Sequence, residues 1–313
     1  MAESENHWER DVVEKVLLAA VKEQRLARRW GIFFKSLLVI FVAFSVLSAS
    51  GWLNESGLDV GGKHTALVNL KGTIDSNDVS ADDIIEGLQD AFRDKDTQGV
   101  ILRINSPGGS PVQAGQIYDA MLRLRKQHPG IPLYVVVDDL CASGGYYVAV
   151  AADRIYVNKA SLVGSIGVLM DGFGFTGTMD KLGVERRLLT AGANKGFLDP
   201  FSPVNPKQQA YAQTMLEEIH QQFIQAVRDG RGARLKETPD MFSGLVWTGA
   251  TSVKLGLADG FGSAEDVARD VIHAKKLVDY TPQSGLADRL TRKIGMTLAK
   301  NINPLAWAGM SFH

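Results

Sequence analysis

Apolar positions change their rhythm three times along the chain. Val12, Val13, Val16, Leu17 and Ala20 recur at helical spacing on a charged background, which predicts a short amphipathic helix. From Trp30 to Trp52 the sequence reads WGIFFKSLLVIFVAFSVLSASGW, and the pattern is continuously apolar with Lys35 as its one charge. Beyond a linker from Gly57 to Gly62, short apolar runs alternate with amphipathic stretches. Ala66–Ile74, Gly99–Asn105 and Ile131–Asp138 read as strands, and Arg154–Asn158 and Glu185–Leu189 as shorter ones. Ala81–Arg93 reads as a helix behind Ser80 as N-cap, followed in turn by helices at Pro111–Gln127 and Ser143–Ala152. A long helix over Pro206–Arg228 presents Ala210, Met215, Ile219, Phe223 and Val227 on one face. Strands alternating with helices predict α/β architecture around a mostly parallel sheet.

The continuous run predicts a transmembrane helix. Its two tryptophans stand about 33 Å apart on a helix, near the hydrocarbon thickness of a bilayer, and tryptophan favours both interfaces. Lys22, Arg25, Arg28 and Arg29 precede the run against the single Glu23, whereas the first charges after it are Glu55 and Asp59. That bias places the N-terminus in the cytoplasm and the later residues outside. A buried core helix fits poorly with so long a run between such flanks. A cleaved signal peptide has suitable small residues at Ser48-Ala49-Ser50, but the acid-containing stretch before the run is far longer than a usual n-region. The expected organisation is a cytoplasmic segment (1–29), an anchor (30–52), a linker (53–64), an exported domain (65–275) and a basic tail (276–313). In the tail, Leu286, Leu290, Ile294 and Leu298 form an apolar stripe. An interface-seeking helix and packing on a neighbouring subunit explain the stripe equally well, with a flexible tail as the third reading.

Composition narrows the function. Of 313 residues, 45% are hydrophobic and 22% charged, enough apolar material for a core and unlike a disordered chain. The 34 basic residues against 35 acidic ones give no excess for general nucleic-acid binding. A single cysteine excludes an internal disulfide framework and a Cys-rich zinc site, and no metal-ligand cluster is evident. No metal or cofactor is expected.

In open α/β sheets, chemistry collects beyond the C-terminal ends of strands. Two glycine-rich segments occupy such positions: Asn105-Ser106-Pro107-Gly108-Gly109 and Ala142-Ser143-Gly144-Gly145-Tyr146-Tyr147. Neither is a phosphate-binding fingerprint, and the GxGxxG letters of Gly172–Gly177 lack a strand-then-helix setting. Ser143, at a strand-to-helix turn before two glycines, suits a nucleophile with adjacent backbone N–H donors; a helix N-cap is the competing role. The histidines (His7, His64, His128, His220, His273 and His313) adjoin no strand-end loop, so a Ser-His-Asp triad is poorly supported. A lysine kept neutral by burial is the alternative base. Lys195, among small residues in Thr190-Ala-Gly-Ala-Asn-Lys-Gly196 just past an expected strand, is the candidate. Cys141 reads as a small buried filler, with Asp138 and Asp139 opposing its thiolate.

Taken in order, Asn105–Gly109, Ala142–Tyr147, Ala151-Ala-Asp153, Gly164-Ser-Ile-Gly-Val168, Lys195 and Trp247-Thr-Gly-Ala250…Gly256-Leu-Ala-Asp259 resemble the signal peptide peptidase A (protease IV) family, in its short single-anchor form. The resemblance implies a Clp protease/crotonase-like fold and a membrane-anchored serine peptidase with a Ser-Lys dyad. It implies Ser143 as nucleophile, Lys195 as general base, the N–H groups of Gly109 and Gly144 as oxyanion donors, and Ser165 as the serine that orients the lysine. Ala193-Asn194 departs from the usual aromatic-containing approach to the lysine, which bears on local pocket shape. The implied substrates are signal peptides or other short peptides at the outer face of the cytoplasmic membrane. The implied assembly is a ring- or dome-shaped homo-oligomer in which one subunit supplies the lysine to its neighbour's serine. A crotonase-like acyl-CoA lyase or hydratase and a non-catalytic membrane scaffold are the alternatives. The first lacks evident paired carboxylates at the loop ends; the second predicts that Ser143→Ala changes nothing.

Overall fold

The computed structural model describes residues 28–42 and 62–282. Residues 28–42 are helical (α1) and carry the first part of the apolar run; the rest of that run, the N-terminal amphipathic stretch and the tail stripe lie outside the described residues. Among the described residues, no helix is long and apolar enough to cross a membrane.

Residues Gly61–Pro282 form a compact unit of their own. It is an α/β structure whose parallel sheet and strand–helix units fit the expected Clp protease-like architecture. Strand β1 is His64–Lys71, followed by helix α2 (Ala81–Arg93), β2 (Thr97–Ser106), α3 (Pro111–Gln127) and β3 (Leu133–Ala142). Then come α4 (Gly144–Ala149), β4 (Arg154–Val157), β5 (Leu162–Gly164), α5 (Thr176–Leu182) and α6 (Pro206–Arg231). Strand β6 (Val246–Thr248), α7 (Gly249–Leu255), β7 (Gly260–Phe261), α8 (Ala264–Asp266) and β8 (Leu277–Asp279) complete it.

Local signals account for the helix starts. The Ser80 hydroxyl accepts from Asp83 N–H at 3.2 Å, and Ser110 caps α3 with Pro111 in the first helical turn, where its missing N–H costs nothing. Asn205 and Pro206 start α6 in the same way. The first three strands are buried on both faces, which is why their sequences are nearly continuous apolar runs rather than alternating ones.

The sheet runs in the order β6-β5-β3-β2-β1-β8, parallel except where β6 turns back along β5. Strand β3 divides its pairing: Tyr134–Val136 lie beside β4, and Leu140–Ala142 lie beside β5. The register between β2 and β3 slips from Ile104↔Val137 to Ser106↔Cys141. This irregularity lets one strand serve two neighbours and brings its end beside the end of β5. One face of the sheet buries the main core, with Leu88, Ile117, Met121 and Val227 among its members. The other carries a smaller cluster, Leu67, Ile101, Val136 and Tyr156 under Ala264, Val267 and Ala268.

Two aspartates in the family-like motifs act as structural clips. Asp153 accepts from Leu133 N–H at 2.9 Å and pairs with Arg125. Asp259 accepts two bonds from the buried Arg231, at 2.8 and 2.9 Å, and one from Ile155 N–H at 2.7 Å. Burial pushes the Asp259 carboxyl up, but the Arg231 guanidinium, with the Ile155 N–H and Arg234, outweighs it and holds the group below its ordinary value.

Several sequence expectations need correction. Residues 185–189 are not a strand; they belong to a long exposed excursion between β5 and α6 that supplies no core for a strand to join. The helix expected from Ser143 begins at Gly144 and ends at Ala149. Of the predicted face of α6, only Phe223 and Val227 are buried, because Ala210, Met215 and Ile219 precede the part of the helix that reaches the core. His64 lies in β1, not in a linker.

Candidate active site

Ser143 joins β3 directly to α4, with backbone angles φ 51° and ψ −125°. That conformation is strained for any residue with a Cβ. Its side chain makes no capping bond, so the N-cap role that would explain a serine there is not in use. The main chain holds the turn from both sides: Ser143 N–H donates to Gly164 C=O at 2.9 Å, and Ser143 C=O accepts from Tyr147 N–H at 2.9 Å.

Ser165 stands one strand away and one step past the Ala142↔Gly164 pair, so parallel pairing sets it level with Ser143. It too has φ 51°, and its N–H donates to Leu245 C=O at 2.7 Å. The side chain of Trp247 packs over Gly164; among the described residues its indole N–H is buried without a hydrogen-bond partner.

The loop after β2 closes over the serine turn. At Gly108 (φ 98°) a Cβ would stand 2.6 Å from Gly144 N and 2.8 Å from Ser143 Cβ. At Gly109 (φ 146°) it would stand 2.3 Å from Ile74 O. Both positions therefore need glycine on two counts, backbone conformation and space. Ile74 N–H donates to Gly108 C=O and Ser110 N–H to Ile74 C=O, a pattern that leaves Gly109 N–H pointing the other way. Gly144 N–H lies in the first turn of α4, where no intrahelical acceptor exists. Among the described residues neither N–H has a backbone acceptor. Two adjacent free donors beside a serine hydroxyl are what stabilisation of an oxyanion requires.

These groups share a cavity of about 590 Å3. Gly109, Ser143, Gly144 and Ser165 line it, with Tyr147, Ile219 and Phe223 among its apolar walls. None of its lining residues is ionisable at neutral pH.

Lys195 is not among them. It is exposed, in a turn between α5 and α6, and the strand expected just before it is absent. Around Ser165 the surroundings are dry on one side only: Val163 and Ile166 are fully buried, whereas Leu169 is 81% exposed. Cys141 is the buried filler it reads as, and burial, rather than the neighbouring aspartates, pushes its thiol up. Among the described residues no group of His, Cys, Asp and Glu is arranged to hold a metal ion.

One residue at the site is not evident from spacing. His220, on α6, places Nε2 3.2 Å from the carbonyl oxygen of Ile166, the residue that follows Ser165. Its only sequence signal is its position next to Ile219 and one turn before Phe223, both of which line the cavity.

The profile of peptidase family S49 matches residues 125–278. The chain is 32% identical over 227 residues to a provisionally named protease of Methanocaldococcus jannaschii, covering 70% of this chain and 72% of that protein. It is 28% identical over 247 residues to a protein of Enterococcus faecium provisionally named signal peptide peptidase SppA, covering 75% and 71%. It is also 44% identical over 210 residues to a protein of Brucella abortus named as the Na(+)/H(+) antiporter NhaA. That match takes in 67% of this chain but only 28% of the Brucella protein.

Proposed function

The chain belongs to peptidase family S49, the signal peptide peptidase A family, and from that premise we propose that it is a serine endopeptidase with Ser143 as its nucleophile. The observation that carries this reading is the strained Ser143 turn, set between the N–H groups of Gly109 and Gly144, which have no backbone acceptor among the described residues. In the reaction, Ser143 Oγ attacks the peptide carbonyl and its proton passes to a neutral amine. The carbonyl oxygen, now negative, takes the two N–H donors. The amine then protonates the leaving nitrogen, the peptide bond breaks, and water releases the acyl group by the same steps in reverse order.

Lys195 supplies that amine from a neighbouring subunit. Support comes from the excursion that carries it: no residue from Gly167 to Tyr211 is buried, yet Leu169, Phe173, Leu182, Leu189 and Val204 are each more than 70% exposed. An apolar surface of this kind calls for a protein partner, and a second copy seated on it brings Lys195 out of water. A lysine entering a cavity lined by no carboxylate loses solvation without gaining a counter-ion, which drives it toward the neutral form a base must have.

The uncharged, partly aromatic cavity suits extended peptides with small or apolar residues at the cut, as in signal peptides. Membrane anchoring through residues 30–52 is part of the same reading. It is supported by the unbroken apolar run and the basic residues before it, with the catalytic unit at the outer face of the cytoplasmic membrane. Transport is not carried over from the antiporter-named relative, of which the chain spans 28%.

The test is covalent labelling by a fluorophosphonate together with cleavage of an apolar peptide. Wild type should do both and Ser143→Ala neither, while Lys195→Ala should lose most of each. Labelling of Ser143→Ala at the wild-type rate contradicts the assignment. For topology, a reporter fused after Trp52 should function only outside the cytoplasm.

A further inference from the structure

The turn that carries Ser165 is fastened at three successive residues by three different parts of the chain. Gly164 C=O accepts from Ser143 N–H, Ser165 N–H donates to Leu245 C=O, and Ile166 C=O faces His220 Nε2 at 3.2 Å. A carbonyl oxygen can only accept, so Nε2 carries the proton and donates, whatever the state of Nδ1. Nε2 is thereby committed to the backbone and is not available as a base.

The first two fastenings belong to the fold, because they continue the alignment of β3, β5 and β6. The third comes from a side chain on α6, a helix whose start is 14 residues earlier in the sequence. At φ 51°, Ser165 sits in a backbone state that persists only where its surroundings over-determine it. Ile166 is wholly buried, and burial by itself does not fix the direction in which its carbonyl points. The His220 bond does.

We propose that His220 is a positioning residue for the Ser165 turn, holding the Ser165 hydroxyl level with Ser143 through its bond to the Ile166 carbonyl. The proposal rests on the reading of Ser143 as nucleophile and Ser165 as the residue that orients the lysine. With no ionised group on the cavity wall, the orientation of the lysine depends on neutral groups such as the Ser165 hydroxyl, and hence on how firmly its turn is held.

The experiment compares full-length wild type with His220→Ala, His220→Gln and Ser143→Ala. It measures kcat and KM on an apolar peptide, fluorophosphonate labelling rate, thermal midpoint and assembly size. In His220→Ala, kcat and labelling should fall about tenfold, the scale expected when a catalytic group is slightly misplaced, with KM within about twofold. Midpoint and size should stay at wild-type values. His220→Gln, whose amide N–H can reach the same carbonyl, should recover most of the loss. Wild-type kcat in His220→Ala, equal losses in both variants, or a loss that tracks midpoint or size would each overturn the positioning role. If wild type neither labels nor cleaves, or Ser143→Ala labels like wild type, the peptidase reading itself falls, a result separate from any ranking of the His220 variants.

Discussion

At Ser143 the backbone holds a serine where glycine would rest more easily. The φ 51°, ψ −125° conformation is of a kind that costs of order 1–3 kcal/mol for a residue with a Cβ. Ser143→Gly should therefore be more stable than Ser143→Ala by about 1 kcal/mol, partly offset by the greater freedom of glycine in the unfolded chain. Both variants should be inactive, and chemical denaturation of the two proteins checks the difference. If the alanine variant is equally stable, the turn is not strained. Gly109 makes the opposite case. A methyl group there meets Ile74 O at 2.3 Å, so Gly109→Ala must shift the loop that aims its N–H. Loss of one oxyanion donor typically lowers kcat by about 10²–10³-fold. The acyl-enzyme rate in pre-steady-state kinetics measures this, and a near-wild-type value would remove Gly109 from the oxyanion hole.

At the scale of elements, the Arg231–Asp259 clip joins the end of α6 to the approach to β7 and to the start of β4. Arg231 is 1% exposed, so Asp259→Asn leaves a buried guanidinium without its charge partner, a change that costs about 3–5 kcal/mol. The pH dependence follows from the lowered carboxyl. A group whose folded-state value lies below its ordinary 3.8 contributes stability that is complete above that value and is lost as pH falls through the folded one. Wild type should thus lose stability below about pH 4 more steeply than Asp259→Asn, as thermal midpoints across pH would show.

The same elements show how far the sequence could be read. Helices α2 and α3 are legible to the residue, because Ser80 and the Ser110-Pro111 pair mark their starts by local chemistry. Strands β1 to β3 are legible as apolar runs, although their ends shift by a few residues because pairing, not composition, decides where a strand stops. Strands β5 to β8 are two or three residues long and exist through their neighbours, so no periodicity announces them. The loop positions of Gly109, Ser143 and Gly144 follow from glycine-rich segments at strand ends. That Ser165 stands beside Ser143 depends on the division of β3 between β4 and β5, a tertiary fact. His220 is invisible for the same reason: its partner is a backbone carbonyl 54 residues away.

At the scale of the whole molecule, the unit keeps the two members of the proposed dyad apart. Ser143, Ser165, Gly109 and Gly144 share one cavity, and Lys195 lies exposed in an apolar excursion with no buried residue. The two observations have one solution if the excursion of each subunit seats on the next and delivers its lysine there. Replacing Leu189, 96% exposed, by Glu should then weaken assembly and activity together while leaving the thermal midpoint of the separated subunit unchanged. Light scattering beside peptide cleavage tests this, and an inactive variant of full assembled size would speak against it. The central claim, that Ser143 and Lys195 meet across a subunit boundary, is tested most directly by co-assembling equal amounts of Ser143→Ala and Lys195→Ala chains. Each is inactive alone. Random mixing in a head-to-tail ring pairs an intact serine with an intact neighbouring lysine at about a quarter of the sites, so roughly that fraction of wild-type activity should return. No recovery in verified mixed assemblies would contradict the account.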